Sequence, residues 1–222
     1  MSEKFYSDST ELESWLKSSL SLSASGFKPQ AISKVASIVL DNVKPSESPD
    51  GDFRLSLEKI KELIGSLNGR IEYCFPPVLV DLEFPHGTIF IHTGRKVGGP
   101  RFSIVVPMFL DPKVELMTLA HELGHFFIHY LLSIKLTKTS KDASEEPKKS
   151  CAHLYAAYKD EKPEQIQLES EAEHFALSLV MPEKLFRKVY SEKRGDVKQL
   201  ADYFSVKPVD VNNRLQSITF SH

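Results

Sequence analysis

Cysteine is nearly missing from this chain of 222 residues: Cys74 and Cys151 are the only two. Two cysteines make no disulfide framework and cannot supply a multi-cysteine zinc site. A long apolar run is missing as well. The most apolar stretch, residues 126–134, is interrupted by His129 and Tyr130 and falls far short of the roughly 18 residues that suggest a membrane span. The first residues, Met1 to Tyr6, lack the apolar core of a signal peptide. Neither charge sign dominates: 28 Lys and Arg stand against 30 Asp and Glu, a net charge of −2. That balance excludes a strongly basic nucleic-acid binder. The expectation is a cytoplasmic protein in a reducing setting, with no membrane and no direct nucleic-acid partner.

What is present is an ordinary globular composition, 41% hydrophobic and 26% charged, which rules out global disorder. At about 100–200 residues per domain, the length suits one domain with an extra segment, or two small ones. Residues 1–52 read as a helical segment and linker. Ser9 or Thr10 caps a first helix, and Pro29 opens a second with Ile32, Val35, Ala36, Val39 and Val43 at helical spacing. Pro and Ser then crowd residues 44–52.

Residues 53–222 read as an α+β module. Leu57, Ile60, Ile64 and Leu67 mark a helix that stops at Asn68-Gly69. Short β-rich runs follow at 70–73, 78–82, 88–92 and 102–106. Asp111-Pro112 starts a long helix expected to reach about Ser133. Residues 135–165 form a Lys/Ser/Glu-rich insertion, with a short helix expected at 151–158. Helices are expected near 165–180, 183–192, 196–204 and 208–217.

The most informative residues are His121-Glu122-Leu123-Gly124-His125, an H-E-x-x-H pattern on an apolar-patterned helix. Residues four apart share a helix face, so two imidazoles there can grip one zinc ion with Glu122 beside it as general base. A catalytic zinc needs a third protein ligand. Ile128 and Leu131 stand where a metzincin would carry Gly and His. His129 lies one turn too far along the axis and reads as a helix-face residue or a support behind the ligands.

The acids at 169–173 offer the third ligand. Taking Ala172, Phe175, Ala176, Leu179 and Val180 as the buried stripe, Glu169 lies roughly 50° from its centre and Glu173 roughly 90° on the same side. Glu171 falls roughly 110° away on the other side, and His174 faces almost opposite. Glu169 is therefore the expected ligand. Glu173 is expected to hydrogen-bond a ligand histidine and fix its tautomer.

Three ordered stretches carry a family resemblance: 119–125 around the His pair, Glu169-x-Glu171-Ala172-x-x-Phe175-Ala176 through Met181-Pro182, and Leu200-Ala201-x-x-Phe204 through Arg214-Leu215. Over about residues 55–217 the chain resembles the ImmA/IrrE-type zinc metallopeptidases. The resemblance implies a zincin-like fold with a small twisted sheet, a gluzincin-type site holding one Zn2+ through His121, His125 and Glu169, and Glu122 as catalytic acid. It also implies cleavage of helix-turn-helix repressors in bacteria, phages or mobile elements. The family usually carries Asn or Asp where Glu173 stands.

The expected reaction is peptide hydrolysis, with Glu122 taking a proton from water and returning it to the leaving amine. His153, Tyr155 and Tyr158 are candidates for stabilising the oxyanion. Residues 102–106 are the candidate exposed strand edge for substrate backbone. Two other functions compete. One is a DNA-binding regulator, suggested by the helix-turn-helix-like spacing of Leu200–Leu215 and by eight Lys/Arg against five Asp/Glu over 183–222. The other is a regulator-binding protein that acts without hydrolysis.

Overall fold

The computed structural model describes residues 27–43, 53–75, 87–92, 99–131 and 163–219. The expected first helix, the run at 78–82 and the short helix at 151–158 lie outside them, as does most of the insertion. Three strands, β1 (Gly69–Cys74), β2 (Thr88–Ile91) and β3 (Phe102–Pro107), form one mixed sheet in the order β1-β3-β2. The helices are α1 (Pro29–Val43), α2 (Leu57–Ser66), α3 (Pro112–Gly124), α4 (Pro163–Val180), α5 (Glu183–Glu192), α6 (Val197–Phe204) and α7 (Pro208–Thr219), of which α2 packs on β1 and α3 on β3. The architecture is α+β.

The central strand runs parallel to β1, with Gly69 opposite Phe102, and antiparallel to β2, with Thr88 opposite Val105. Phe102, Ile104 and Val106 are fully buried, as suits a strand paired on both sides. This corrects one expectation. Strand β3 has no free edge to offer a substrate, because both of its rows of backbone groups are already paired. Among the described residues the edge strands are β1 and β2.

Local chemistry sets the helix ends. Ser56 accepts from the Lys59 N–H and starts α2. Asp111 accepts from the Lys113 N–H, and Pro112 supplies a pre-set first helical residue to α3. Asp196 accepts from the N–H groups of Lys198 and Gln199 to start α6. The C-terminal end of α4 is closed from outside: the buried Arg214 of α7 donates from Nε to the Met181 carbonyl at 2.9 Å.

The long helix from Pro112 departs from expectation. It is α-helical only to Gly124 and continues as a π-helix over His125–Leu131. Helix α4 is buried on more than one face. Residues 175–181 are all buried, with α3 packed on one side and α1 on the other. Ile32, Val35, Ala36 and Val39 of α1 share one core with Phe175, Leu179 and the Phe126 region. No described helix is long and apolar enough to cross a membrane.

Candidate metal centre

Helices α3 and α4 meet without room to spare. A Cβ on Gly124 would stand 2.9 Å from both the Cα and the carbonyl oxygen of Ala172. Glycine in α3 and alanine in α4 therefore let the two backbones nearly touch. That approach carries the His pair of one helix to the acids of the other.

His121 Nε2 lies 3.0 Å from Glu169 Oε2 and 3.1 Å from His125 Nε2. His125 Nε2 lies 3.5 Å from Glu169 Oε1. One ligand atom from each of the three residues falls within 4.8 Å of the others. Two imidazole nitrogens and a carboxylate oxygen so placed could hold a metal ion, and they are donor types that a catalytic zinc takes while keeping a position open. The centre is open on one side. His121 is 26% exposed and Glu169 is 42% exposed, whereas His125 is buried. Burial pushes Glu169 upward, but hydrogen bonds from His121 and His125 outweigh it and hold the carboxyl well below the usual range.

Glu122 is 5% exposed. Burial pushes its carboxyl up to about 7; the nearby His121 and the Ile89 N–H oppose the shift, and the charge of Glu169 adds to it. The chain just before β2 passes directly over this group. A Cβ on Gly87 would come within 2.6 Å of Thr118 Cγ2 and 3.4 Å of Glu122 Oε1. The Ile89 N–H faces Glu122, while the His92 N–H points the other way to the Arg101 carbonyl. By the alternation of an antiparallel strand, Ile89 and Ile91 turn their backbone groups to the outer edge of β2. That edge runs beside the general-base candidate.

Residues 101–216 match the family described as Peptidase_M78, IrrE N-terminal-like domain. The chain belongs to this family. Membership places it among proteins classed as metallopeptidases. No curated protein matches it significantly. Among solved structures it is similar to a Mycobacterium tuberculosis transcriptional regulator, with a TM-score of 0.51 and 17% identity. The match covers 84% of this chain and 46% of that one, so the chain spans less than half of that protein. At this identity the likeness concerns the fold.

Two expectations about α4 need correction. Glu173 is exposed and accepts from Asn213 Nδ2 at 2.9 Å, on α7 and away from the histidines. The carboxylate behind the His pair is instead Glu171, which is buried and lies 3.1 Å from His129 Nε2. His174 does point away from the stripe that faces α3, but α1 covers it there: Ser33 Oγ lies 2.9 Å from His174 Nε2. Burial, with Arg214 nearby, pushes His174 down to about 4.

The angular ranking assumed one buried stripe, whereas α4 is sandwiched. Leu177, apolar and outside that stripe, was the available sign of a second covered face. His129 stands behind the His pair, its Nδ1 2.9 Å from His125 Nδ1. The oxyanion candidates His153, Tyr155 and Tyr158 lie outside the described residues.

Proposed function

We propose that this chain is a zincin-like, zinc-dependent endopeptidase of the cytoplasm, with His121, His125 and Glu169 as ligands of one Zn2+ and Glu122 as general base. The observation that carries this reading is the convergence of three donor atoms beside Glu122, a buried carboxylate on the helix that bears the His pair. Zinc held there would acidify a water molecule and polarise a scissile carbonyl. Glu122 takes the water proton and passes it to the leaving amine, a role that suits a carboxyl placed beside the centre and shielded from bulk solvent. The outer edge of β2 aligns the substrate backbone by strand addition, directly over Glu122.

The proposed substrate is a helix-turn-helix regulator. This rests on the ImmA/IrrE resemblance and not on the fold likeness to the mycobacterial regulator. The reading as a DNA-binding protein has less support. Leu200, Ala201, Phe204, Val206 and Val211, the positions that gave the C-terminal pattern its helix-turn-helix spacing, are all buried in the core. The deciding experiment combines metal analysis with cleavage of a helix-turn-helix regulator encoded beside this protein's gene. Wild type is expected to hold one zinc per chain and cut the regulator. Glu122→Gln is expected to keep the zinc and cut at least about 100-fold more slowly. Cleavage by Glu122→Gln at the wild-type rate would falsify the assignment.

A further inference from the structure

Behind His125 lies a chain of hydrogen bonds whose direction follows from an ionised Glu171 and a neutral His129. Glu171 Oε1 accepts from the Phe27 N–H at 2.9 Å and from Gln167 Nε2 at 2.9 Å. Its other oxygen, Oε2, lies 3.1 Å from His129 Nε2. An ionised carboxylate only accepts, so His129 Nε2 carries the proton and donates. A neutral His129 then has a lone pair on Nδ1, which lies 2.9 Å from His125 Nδ1. Two lone pairs cannot face each other at that distance, so His125 carries its proton on Nδ1. Its Nε2 is left bare, and Nε2 is the atom that meets His121 and Glu169.

The π-helical turns make the alignment. Each residue there rotates by less than the roughly 100° of an α-helix. Residues four apart come close to one full turn, and the His125 and His129 rings sit 5.0 Å apart between centroids. Both side chains of the supporting pair, His129 and Glu171, are 7% exposed, so water does not compete for these bonds.

We infer that His129 and Glu171 are positioning residues of the metal centre: together they fix the tautomer and orientation of His125, with the Phe27 backbone and Gln167 anchoring Glu171. The inference rests on the metal-centre reading above and adds the groups that set up one of its ligands. His129 thus has a role one shell out from the ion, and no place among its ligands. A partner behind a metal-bound histidine is typically worth about 10–100-fold in metal affinity.

The test is zinc affinity by competition with a chromophoric chelator, for full-length wild type, His129→Phe, His129→Gln and Glu171→Gln. The thermal midpoint of each zinc-free protein is recorded alongside. His129→Phe fills the space with no hydrogen bond and is expected to weaken zinc binding about 10–100-fold. His129→Gln offers an oxygen to His125 and an N–H to Glu171, and is expected to recover most of that loss. Nitrogen-15 NMR of zinc-free wild type is expected to show His125 protonated on Nδ1.

Wild-type zinc affinity in a folded His129→Phe protein overturns the inference, as does a His125 protonated on Nε2. Those failures leave zinc binding by wild type intact. A wild type that takes up no zinc instead sinks the metal centre itself, and the affinity role of the relay with it.

Discussion

Helix α4 carries two polar clusters with similar ingredients and opposite outcomes. Toward its N-terminal half, Glu169 and Glu171 meet His121, His125 and His129 of the neighbouring helix. One turn further on, His174 and Ser178 meet Ser33 of α1, and Arg214 of α7 reaches Ser178 at 3.2 Å. The second cluster closes on itself: Ser33 bridges His174 and Ser178, and Arg214 also donates to Met181 and Ser217. The first leaves three ligand atoms aimed at a common point and exposed on one side. Buried titratable residues are thus not in themselves a site. Convergence of donor atoms and access from solvent make one.

The largest effect that would sharpen this contrast is expected from Glu169→Ala. It should abolish stoichiometric zinc uptake, measured by elemental analysis after gel filtration, while His174→Gln leaves uptake unchanged. Loss of zinc from both variants would break the distinction between the clusters.

The second cluster should instead appear in the pH dependence of stability. The pKa of His174 is depressed to about 4 from an ordinary 6.5. Between those values the unfolded chain binds the proton more readily than the folded one. The contribution to stability is therefore complete above about 6.5 and is lost as pH falls toward about 4, an amount of up to about 3 kcal/mol. Zinc-free wild type should lose thermal midpoint over that window more steeply than zinc-free His174→Gln. Parallel curves would show that α1 does not keep His174 neutral.

Gly124→Ala probes the contact that brings the first cluster together. The added methyl must push on the Ala172 backbone, an overpacking cost of about 1–3 kcal/mol. Chemical denaturation should read that loss, together with weaker zinc binding as the helices part. Unchanged stability and affinity in the Gly124→Ala variant would mean that the approach of α3 and α4 is not what sets the ligand geometry. The smallest effect is expected from Asp196→Ala, far from both clusters. Losing the cap of α6 should lower stability by about 1 kcal/mol and leave zinc affinity alone.

Much of the local structure could be read from the residues. The capping pair Asp111-Pro112 and the stop at Asn68-Gly69 placed helix ends to within a few residues. The ranking of Glu169 as the acid that faces the His pair also came from helical periodicity, because that pairing needs only one helix face against another. Three readings failed where a second neighbour mattered. Strand β3 looked like an edge candidate until β1 and β2 were found on its two sides. Glu171 and Glu173 were ranked as though α4 had a single buried face. The break from α- to π-helix at His125 left no periodicity signal strong enough to find.

Sequence alone picked out the candidate set, His121, Glu122, His125 and Glu169, and the elements that carry it, because spacing, caps and apolar period act over a few residues. Tertiary structure decided which carboxylate stands behind the histidines, which strand borders Glu122, and which histidine is covered by α1. Those outcomes depend on what packs against the second face of α4 and on both edges of β3. Contacts of that kind join separate segments, those on α4 more than a hundred residues apart, as Phe27 joins Glu171 and Ser33 joins His174, and no local pattern encodes them.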